Sequence, residues 1–389
     1  MKSFVQTCRT YSIPLIAGVV VALIAANLFP EAYHHIVHAP IIGEHINLHF
    51  LVNDIFMVFF FGTAGCEIVN SLSPGGALNP PKKAITPLMA TAGGVMGPIV
   101  LFFILNMIMG SPEYSNGWGI TTATDIALSW LIAKLIFGNN HPAIKFLLLL
   151  AVVDDAIGLI IIAVFYPSPD APFQPIWLAL IPVAIVVAFI MKKMNVKPFM
   201  AYVLIPGTIA WFGLHTAGLH AALALVFIVP FMPKGSHVDH HEDQHGLDDA
   251  AHGSTLHNFE EKIGPIVDFG LFFFGFTAAG VGFSTVSSLS FIIMIALIFG
   301  KTIGIFLLTV ISTKIMKVPM PEGMDLKDTV VVGAIGGIGL TVALFVCESA
   351  FVDPVMIASA KMGALFSIGA AVLAFILNPV FRKGRNKIA

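Results

Sequence analysis

The sequence predicts an all-α polytopic membrane protein with twelve transmembrane helices, and three observations support this. The 389 residues are 57% hydrophobic and 11% charged, and the mean hydropathy of +0.91 lies outside the range of soluble domains. Apolar runs long enough to cross a hydrocarbon core of about 30 Å recur along the chain. Basic residues alternate with these runs. The runs are centred near residues 13–30, 51–70, 85–109, 120–138, 142–165, 174–191, 199–213, 216–232, 263–283, 289–313, 328–347 and 354–380.

The lysines and arginines predict the orientation. With a cytoplasmic N terminus, all 20 basic residues except Lys301 and Lys361 fall at cytoplasmic ends or loops, which is a strong positive-inside asymmetry. Both termini are therefore predicted to be cytoplasmic. A signal peptide at the start is disfavoured, because no small-residue cleavage site follows and its removal would spoil the charge alternation. The three cysteines suggest no disulfide framework, and no basic patch suggests a nucleic-acid partner.

The loop between the first two spans predicts a small β-hairpin on the outside. Residues 46–50 are extended-looking and follow Pro40-Ile41-Ile42-Gly43, a turn between two short strand-like segments.

Spans four and eleven are poor helices at their centres. Gly119 to Asp125 contains clustered threonines, and the segment 333–341 contains Gly336, Gly337 and Gly339 before Thr341. Unwound backbone is tolerated in a membrane where it lines a cavity, so paired interruptions point to a transporter's binding site. Close helix packing through small residues is the alternative for the glycines.

An internal repeat agrees with this. Residues 92–100 in span three and 299–307 in span ten share a glycine-rich pattern, and each precedes an interrupted span. We therefore predict that spans three to five and spans ten to twelve form two inverted repeats. Spans four and eleven would then be two crossed discontinuous helices.

A polar, acidic, histidine-rich segment at 233–262 is predicted to be a cytoplasmic loop within a single transmembrane transporter domain, 1–389. Its histidines suggest metal binding or pH sensing. A disordered linker is the alternative, because the spacing of the histidines matches no closed metal site. They are His237, His240, His241, His245, His252 and His257.

Charges inside the spans predict the functional site. Each buried carboxylate costs roughly 2.5 to 3.5 kcal/mol, so the adjacent pair Asp154 and Asp155 is too expensive for a structural role. Asp125 and Lys301 also lie deep. Glu67 and Asp268 are predicted either to line a vestibule or to cap packing. Three charges near span ends are predicted to be solvated or snorkelling: Asp54, Glu348 and Lys361.

These residues suit a cation and proton site. Neighbours on a helix point about 100° apart, so one aspartate of the pair can meet Lys301 while the other faces a water-filled cavity. A hard monovalent cation such as Na⁺ needs oxygen ligands. Asp155, Asp125 and Thr124 fit that role, and Na⁺ and a proton would compete for one carboxylate.

The motifs together resemble the NhaA family of sodium/proton antiporters. They are Val52-Asn53-Asp54, Ala123-Thr124-Asp125-Ile126-Ala127, Asp154-Asp155, Gly300-Lys301 with Gly304, and Gly337 to Thr341. The resemblance implies exchange of internal Na⁺ or Li⁺ for external protons across a bacterial inner membrane, without cofactors. It implies that Asp155 is the principal cation and proton carboxylate, with Na⁺ also near Asp154 and Asp125, and that Asp154 pairs with Lys301.

The resemblance also implies a homodimer formed through the outside hairpin and a role for Asp125 in offsetting helix-end dipoles. His220 and Glu260 fall where the family places residues linked to pH response. Two departures affect regulation: Ile68-Val69-Asn70-Ser71 follows Glu67 in place of a charged cluster, and Thr277-Ala278-Ala279 replaces an asparagine-containing stretch.

Two alternatives stay open. The same fold could carry K⁺ or a proton-coupled organic ion. An intramembrane enzyme with paired aspartates is disfavoured, because no Gly-x-Gly-Asp sequence occurs and no aspartate stands three residues after the pair.

Overall fold

The chain is predominantly helical, with one two-stranded sheet. The structure is a computed structural model that describes residues 12–43, 46–76, 78, 81–168, 173–234 and 254–382. We number its helical segments longer than three residues in chain order, whatever their pitch. The first eight are α1 Ile13–Leu28, α2 Pro30–His38, α3 Leu48–Leu72, α4 Pro81–Met109, α5 Pro112–Thr122, α6 Ile126–Phe137, α7 Pro142–Phe165 and α8 Pro175–Lys193. The next eight are α9 Phe199–Ala217, α10 Ala221–Phe231, α11 Thr255–Ala278, α12 Ser288–Ile315, α13 Leu326–Gly336, α14 Thr341–Ala350, α15 Pro354–Phe366 and α16 Gly369–Arg382.

Length and composition identify which helices can cross a membrane. Among the described residues, seven qualify outright, and two bent pairs bring the number to nine. The pairs are α5 with α6, bent by 59°, and α13 with α14, bent by 52°. They fall on spans four and eleven, where the interruptions were predicted. The helices α1 and α10 are apolar but shorter, so the full count of twelve stays a prediction.

The helices pack mainly within two groups. We call α4–α7 with α12–α16 the core group, because α4 packs along α12 and α7, and α12 packs along α13 and α15. The other group, called the flanking group, contains α1, α3 and α8–α11; here α1 packs along α11, and α10 packs against α3. The two groups meet where α3 contacts α7.

Glycines set the closest approach inside the core group. A Cβ atom at Gly93 of α4 would collide with the backbone of Gly304 of α12, and a Cβ atom at Gly304 would collide with the backbone of Gly93. The side-chain-free contact lets two helix backbones touch, as small residues do in membranes. These glycines lie in the two segments whose sequences predicted the repeat.

The predicted hairpin is present but shorter than expected. Strand β1, Pro40–Ile42, pairs antiparallel with β2, Ile46–Asn47, and Pro40 lies opposite Asn47. The expectation of extended backbone over 46–50 is wrong beyond Asn47. The Oδ1 atom of Asn47 accepts a hydrogen bond from the Phe50 amide at 2.8 Å, so Asn47 caps a helix that begins at Leu48.

The histidine-rich segment lies mostly outside the described residues, since 235–253 are among the residues not covered. Its predicted end at residue 262 is wrong. Ser254 caps α11 by accepting a hydrogen bond from the His257 amide at 3.1 Å, so 255–262 belong to a helix.

Candidate cation-binding site

The breaks in the two bent spans meet inside the core group. The amide of Asp125, between α5 and α6, donates a 2.7 Å hydrogen bond to the carbonyl of Ile338, between α13 and α14. The Ser129 hydroxyl donates to the Ile335 carbonyl at 3.2 Å. Backbone groups that unwinding leaves free in one span are thus satisfied by the other, as a low-dielectric interior requires.

Asp125 lies between the starts of two half-helices. Its Oδ1 accepts from the Leu128 amide at 3.0 Å and caps α6, while its Oδ2 accepts from the Thr341 amide at 3.3 Å at the start of α14. Helix N-termini carry partial positive charge, so one buried carboxylate offsets both. Its two oxygens are therefore used by backbone amides.

Asp154 and Lys301 form a fully buried ion pair. The Lys301 Nζ lies 2.8 Å from Asp154 Oδ2, and both side chains are 0% exposed. Lys301 also donates to the Thr124 hydroxyl. That hydroxyl lies 2.9 Å from both Asp154 Oδ2 and the Gly336 carbonyl, so its single proton goes to one or the other. A π-helical turn, Ala296–Gly300, precedes Lys301, a distortion that is frequent at functional sites.

Asp155 is in a different environment from its neighbour. It is half-buried, and its Oδ1 is buried with no hydrogen-bond partner among the described residues. It borders a cavity of about 430 Å³ that Thr124, Asp125, Glu67, Asp268 and Thr341 also line. A buried carboxylate oxygen without a donor is costly unless a proton or a cation reaches it.

The three aspartates predicted to share Na⁺ are therefore not equivalent. Asp125 is bound to amides and Asp154 to Lys301. Asp154 Oδ1 is also buried with no hydrogen-bond partner among the described residues, but of the two adjacent aspartates only Asp155 lines the cavity. Within the part of the chain that the structure describes, no group of three or more His, Cys, Asp or Glu has the arrangement of a metal site. Any cation here would rely on one carboxylate with hydroxyl, carbonyl and water oxygens.

The glycine-rich break relies on a serine that the sequence analysis missed. A Cβ atom at Gly337 would lie 2.8 Å from the Leu297 carbonyl oxygen, which is closer than real contacts allow. The Gly339 amide donates to the Ser367 hydroxyl at 3.0 Å. No local pattern marks Ser367, because it follows α15, 28 residues away.

The predicted vestibule residues divide into two sets. Glu67 and Asp268 line the cavity. Glu260 accepts a 3.1 Å hydrogen bond from the Asn70 amide group, and His220 packs edge-on against Phe345 at 5.1 Å between ring centroids. Neither Glu260 nor His220 lines the cavity.

The prediction that Glu348 and Lys361 are solvated is wrong. Lys361 Nζ lies 2.7 Å from Glu348 Oε1, and their side chains are only 10% and 17% exposed. His49 Nε2 lies 3.2 Å from Glu348 Oε2. Each charge meets its opposite within the protein, so neither needs to reach water.

Comparisons with known proteins agree on one family. The family described as "Na+/H+ antiporter 1" matches residues 2–377. A Na(+)/H(+) antiporter NhaA of Desulfitobacterium hafniense (strain DSM 10664 / DCB-2) is 54% identical over 381 residues, covering 97% of this chain and 96% of the relative. One of Geobacter sulfurreducens (strain ATCC 51573 / DSM 12127 / PCA) is 50% identical over 378 residues, covering 97% of each.

A solved structure shares the fold. The sodium proton antiporter MjNhaP1 from Methanocaldococcus jannaschii at pH 8 superposes with a TM-score of 0.57 at 14% identity, covering 94% of this chain and 97% of that one.

Proposed function

The chain belongs to the Na⁺/H⁺ antiporter 1 family and is a multi-pass membrane Na⁺/H⁺ antiporter of the NhaA type, and from this premise we propose that Asp155 is the group that Na⁺ and protons share. The observation that carries the proposal is the buried Oδ1 of Asp155, which has no hydrogen-bond partner among the described residues and adjoins the cavity of about 430 Å³. A proton or a desolvated Na⁺ would each satisfy that oxygen, and the two exclude one another.

The other ligands would come from the meeting breaks. Carbonyls freed by unwinding suit a hard cation, and Thr124 and Thr341 line the same cavity. Asp125 acts by holding the starts of α6 and α14 together rather than by offering free oxygen. Li⁺ would compete at the same oxygens because it too is a hard cation.

The ion pair of Asp154 and Lys301 neutralises its own charges and fixes the helices beside the site. With both side chains fully buried and 2.8 Å apart, the pair fixes α7 against α12 beside Asp155. The positive charge of Lys301 lies near Asp155, the carboxylate that exchanges Na⁺ and protons. It therefore favours the binding of one monovalent cation at the site over the binding of two.

We propose that transport occurs by alternating access, as the core group moves against the flanking group. The division of helix packing into these groups supports this. We further propose twelve spans with α5–α6 and α13–α14 as crossed discontinuous helices, both termini in the cytoplasm, and electrogenic exchange that exports Na⁺. A homodimer would form through the hairpin, where Ile41 and Ile42 are exposed; the mass of the detergent-solubilised protein from light scattering tests this.

The site assignment can be tested with everted membrane vesicles from cells that lack their own Na⁺/H⁺ antiporters. We expect the wild type to collapse a preformed proton gradient when Na⁺ or Li⁺ is added, and Asp155→Asn to lose this response, because the amide cannot exchange a proton for a cation. K⁺ addition tests the alternative cargo.

The matched control is Asp353→Asn. This exposed carboxylate caps α15 by accepting from the Val355 amide at 3.1 Å, and asparagine caps equally well. Wild-type collapse in Asp155→Asn would overturn the assignment, whereas absence of Na⁺-dependent collapse in the wild type would overturn the proposed exchange itself.

A further inference from the structure

A tryptophan and a lysine lie beside the cation cavity and have no role in the mechanism above. Trp130 lines the cavity of about 430 Å³ that Asp155 borders. The Lys134 Nζ atom lies over the indole of Trp130, 3.3 Å from the ring centroid, which is a close cation–π contact. We call these two residues the Trp130–Lys134 pair. The pair places a fixed positive charge next to the wall of the cavity.

The sequence of α6 produces this contact locally. Asp125 caps the first turn of α6, so Trp130 lies just beyond the break, and Lys134 follows it by four residues. Residues i and i+4 are neighbours on a helix surface, and side chains lean towards the N-terminus of their helix. A lysine in the last turn of a helix ordinarily extends to water, but Lys134 instead reaches back over the ring.

The charge of Lys134 is not neutralised by a carboxylate. Among the described residues, none of the ion pairs includes Lys134, whereas Lys301 is paired with Asp154 and that pair has no net charge. An aromatic face holds an ammonium but leaves its net charge in place. Trp130 and Lys134 are both half-buried, so salt and water screen this charge only in part. Lys134 therefore adds a net positive charge beside the site.

The opposite wall of the cavity is acidic. Glu67 of α3 and Asp268 of α11 line it from the flanking group, while Trp130 lines it from the core group. A cation in the cavity is therefore attracted by the flanking group and repelled by the Trp130–Lys134 pair. The balance between the two determines how much Na⁺ is needed to fill the site at Asp155.

We propose that the Trp130–Lys134 pair sets the apparent affinity of the site for cytoplasmic Na⁺, with the ammonium acting as a fixed charge that weakens Na⁺ binding at Asp155. The proposal rests on the proposed exchange and orientation, which put Lys134 on the cytoplasmic side. Trp130 is a positioning residue, because its ring keeps the ammonium beside the cavity and away from bulk water. Lys134 itself does not line the cavity, so it acts through space and not as a ligand.

The test is a Na⁺ titration of gradient collapse in everted vesicles, which present the cytoplasmic face to the added cation. Removing Lys134 would strengthen proton binding as well, since a proton is also a single positive charge. The assay is therefore run at about pH 8.5, where protons compete least, with choline chloride holding the ionic strength constant. Lys134→Met should lower the Na⁺ concentration for half-maximal collapse by roughly two- to sixfold, the effect of one unit charge about 10 Å away in a medium between protein and water. The value for Li⁺ should fall by the same factor, because the lysine acts by its charge alone.

Further variants separate the charge from its positioning. Lys134→Arg should keep the wild-type value, since a guanidinium retains the charge and also stacks on aromatic faces. Trp130→Leu should lower the value although the lysine remains, because the ammonium is then free to extend to water. The double variant of Trp130→Leu with Lys134→Met should match Lys134→Met alone. Additive effects of the two changes would overturn positioning by the ring.

Lys193→Met is the matched control. Lys193 lies at the end of α8 over Phe189, 4.9 Å from its ring centroid and four residues after it, and neither residue lines the cavity. This variant should keep the wild-type value. An unchanged value in Lys134→Met, or an equal fall in Lys193→Met, would overturn the proposal. Absence of Na⁺-dependent collapse in the wild type would instead overturn the proposed exchange.

Discussion

At the residue scale, two adjacent carboxylates have opposite surroundings. Asp154 is sealed against Lys301 and Thr124, whereas Asp155 is half-buried and lines the cavity. Each keeps one buried oxygen without a hydrogen-bond partner among the described residues. The rotation of about 100° between helical neighbours accounts for the separation. A single helix turn thus supplies both a fixed ion pair and an exchangeable site.

Replacing Lys301 by alanine should destabilise the protein strongly. It leaves Asp154 buried without its counter-ion, and breaking a buried pair in this way costs about 3–5 kcal/mol. The measurement is thermal unfolding of the purified protein in detergent. The wild type and the single and double variants would be compared at one pH.

Asp154→Asn in the Lys301→Ala background is the companion variant. It removes the orphaned charge, so the double variant should unfold at a higher temperature than Lys301→Ala. Equal or lower stability of the double variant would contradict the claim that the unpaired charge of Asp154 causes the loss.

At the element scale, the glycine contact between α4 and α12 positions the lysine. A Cβ atom at Gly93 would collide with the backbone of Gly304, and Lys301 lies one turn before that contact on α12. Separating the two helices would therefore move the Lys301 amine relative to Asp154.

Gly93→Ala should destabilise the fold by roughly 1–3 kcal/mol, the usual cost of overpacking, and should slow Na⁺-dependent gradient collapse. Gly158→Ala is the matched control: it lies on α7 one turn after Asp154, and a Cβ atom there meets nothing within 4 Å. Thermal unfolding and vesicle activity of both variants check this. Equal losses in the two variants would refute the role of close packing.

Elements differed in how far the sequence could predict them. The breaks at 123–125 and 337–340 were predictable, because glycines and threonines inside apolar runs weaken a helix locally. The helix start at Leu48 was not, since Asn47 served as a cap where the flanking residues suggested a strand. Ser367 and the pair of Glu348 with Lys361 depend on contacts between separate helices, which no periodicity along one helix contains.

At the scale of the whole molecule, the cavity of the cation site lies where the two packing groups meet. Asp125 and Asp155 belong to the core group, whereas Glu67 and Asp268, which line the same cavity, lie on α3 and α11 of the flanking group. Composition and the placement of basic residues predicted a polytopic membrane protein, because a lipid environment requires apolar spans and favours basic residues in cytoplasmic loops along the whole chain. The division into two packing groups was not predictable, since apolar faces in a membrane do not indicate which helix they meet.

The measurement that tests the central claim most directly is Na⁺ binding to the purified protein by calorimetry over a pH series, with proton release recorded in parallel. Sharing of Asp155 predicts that Na⁺ binding releases protons and weakens by up to about tenfold per pH unit towards acid. It also predicts that Asp155→Asn binds no Na⁺. Na⁺ binding that is independent of pH, or that survives in Asp155→Asn, would contradict the account.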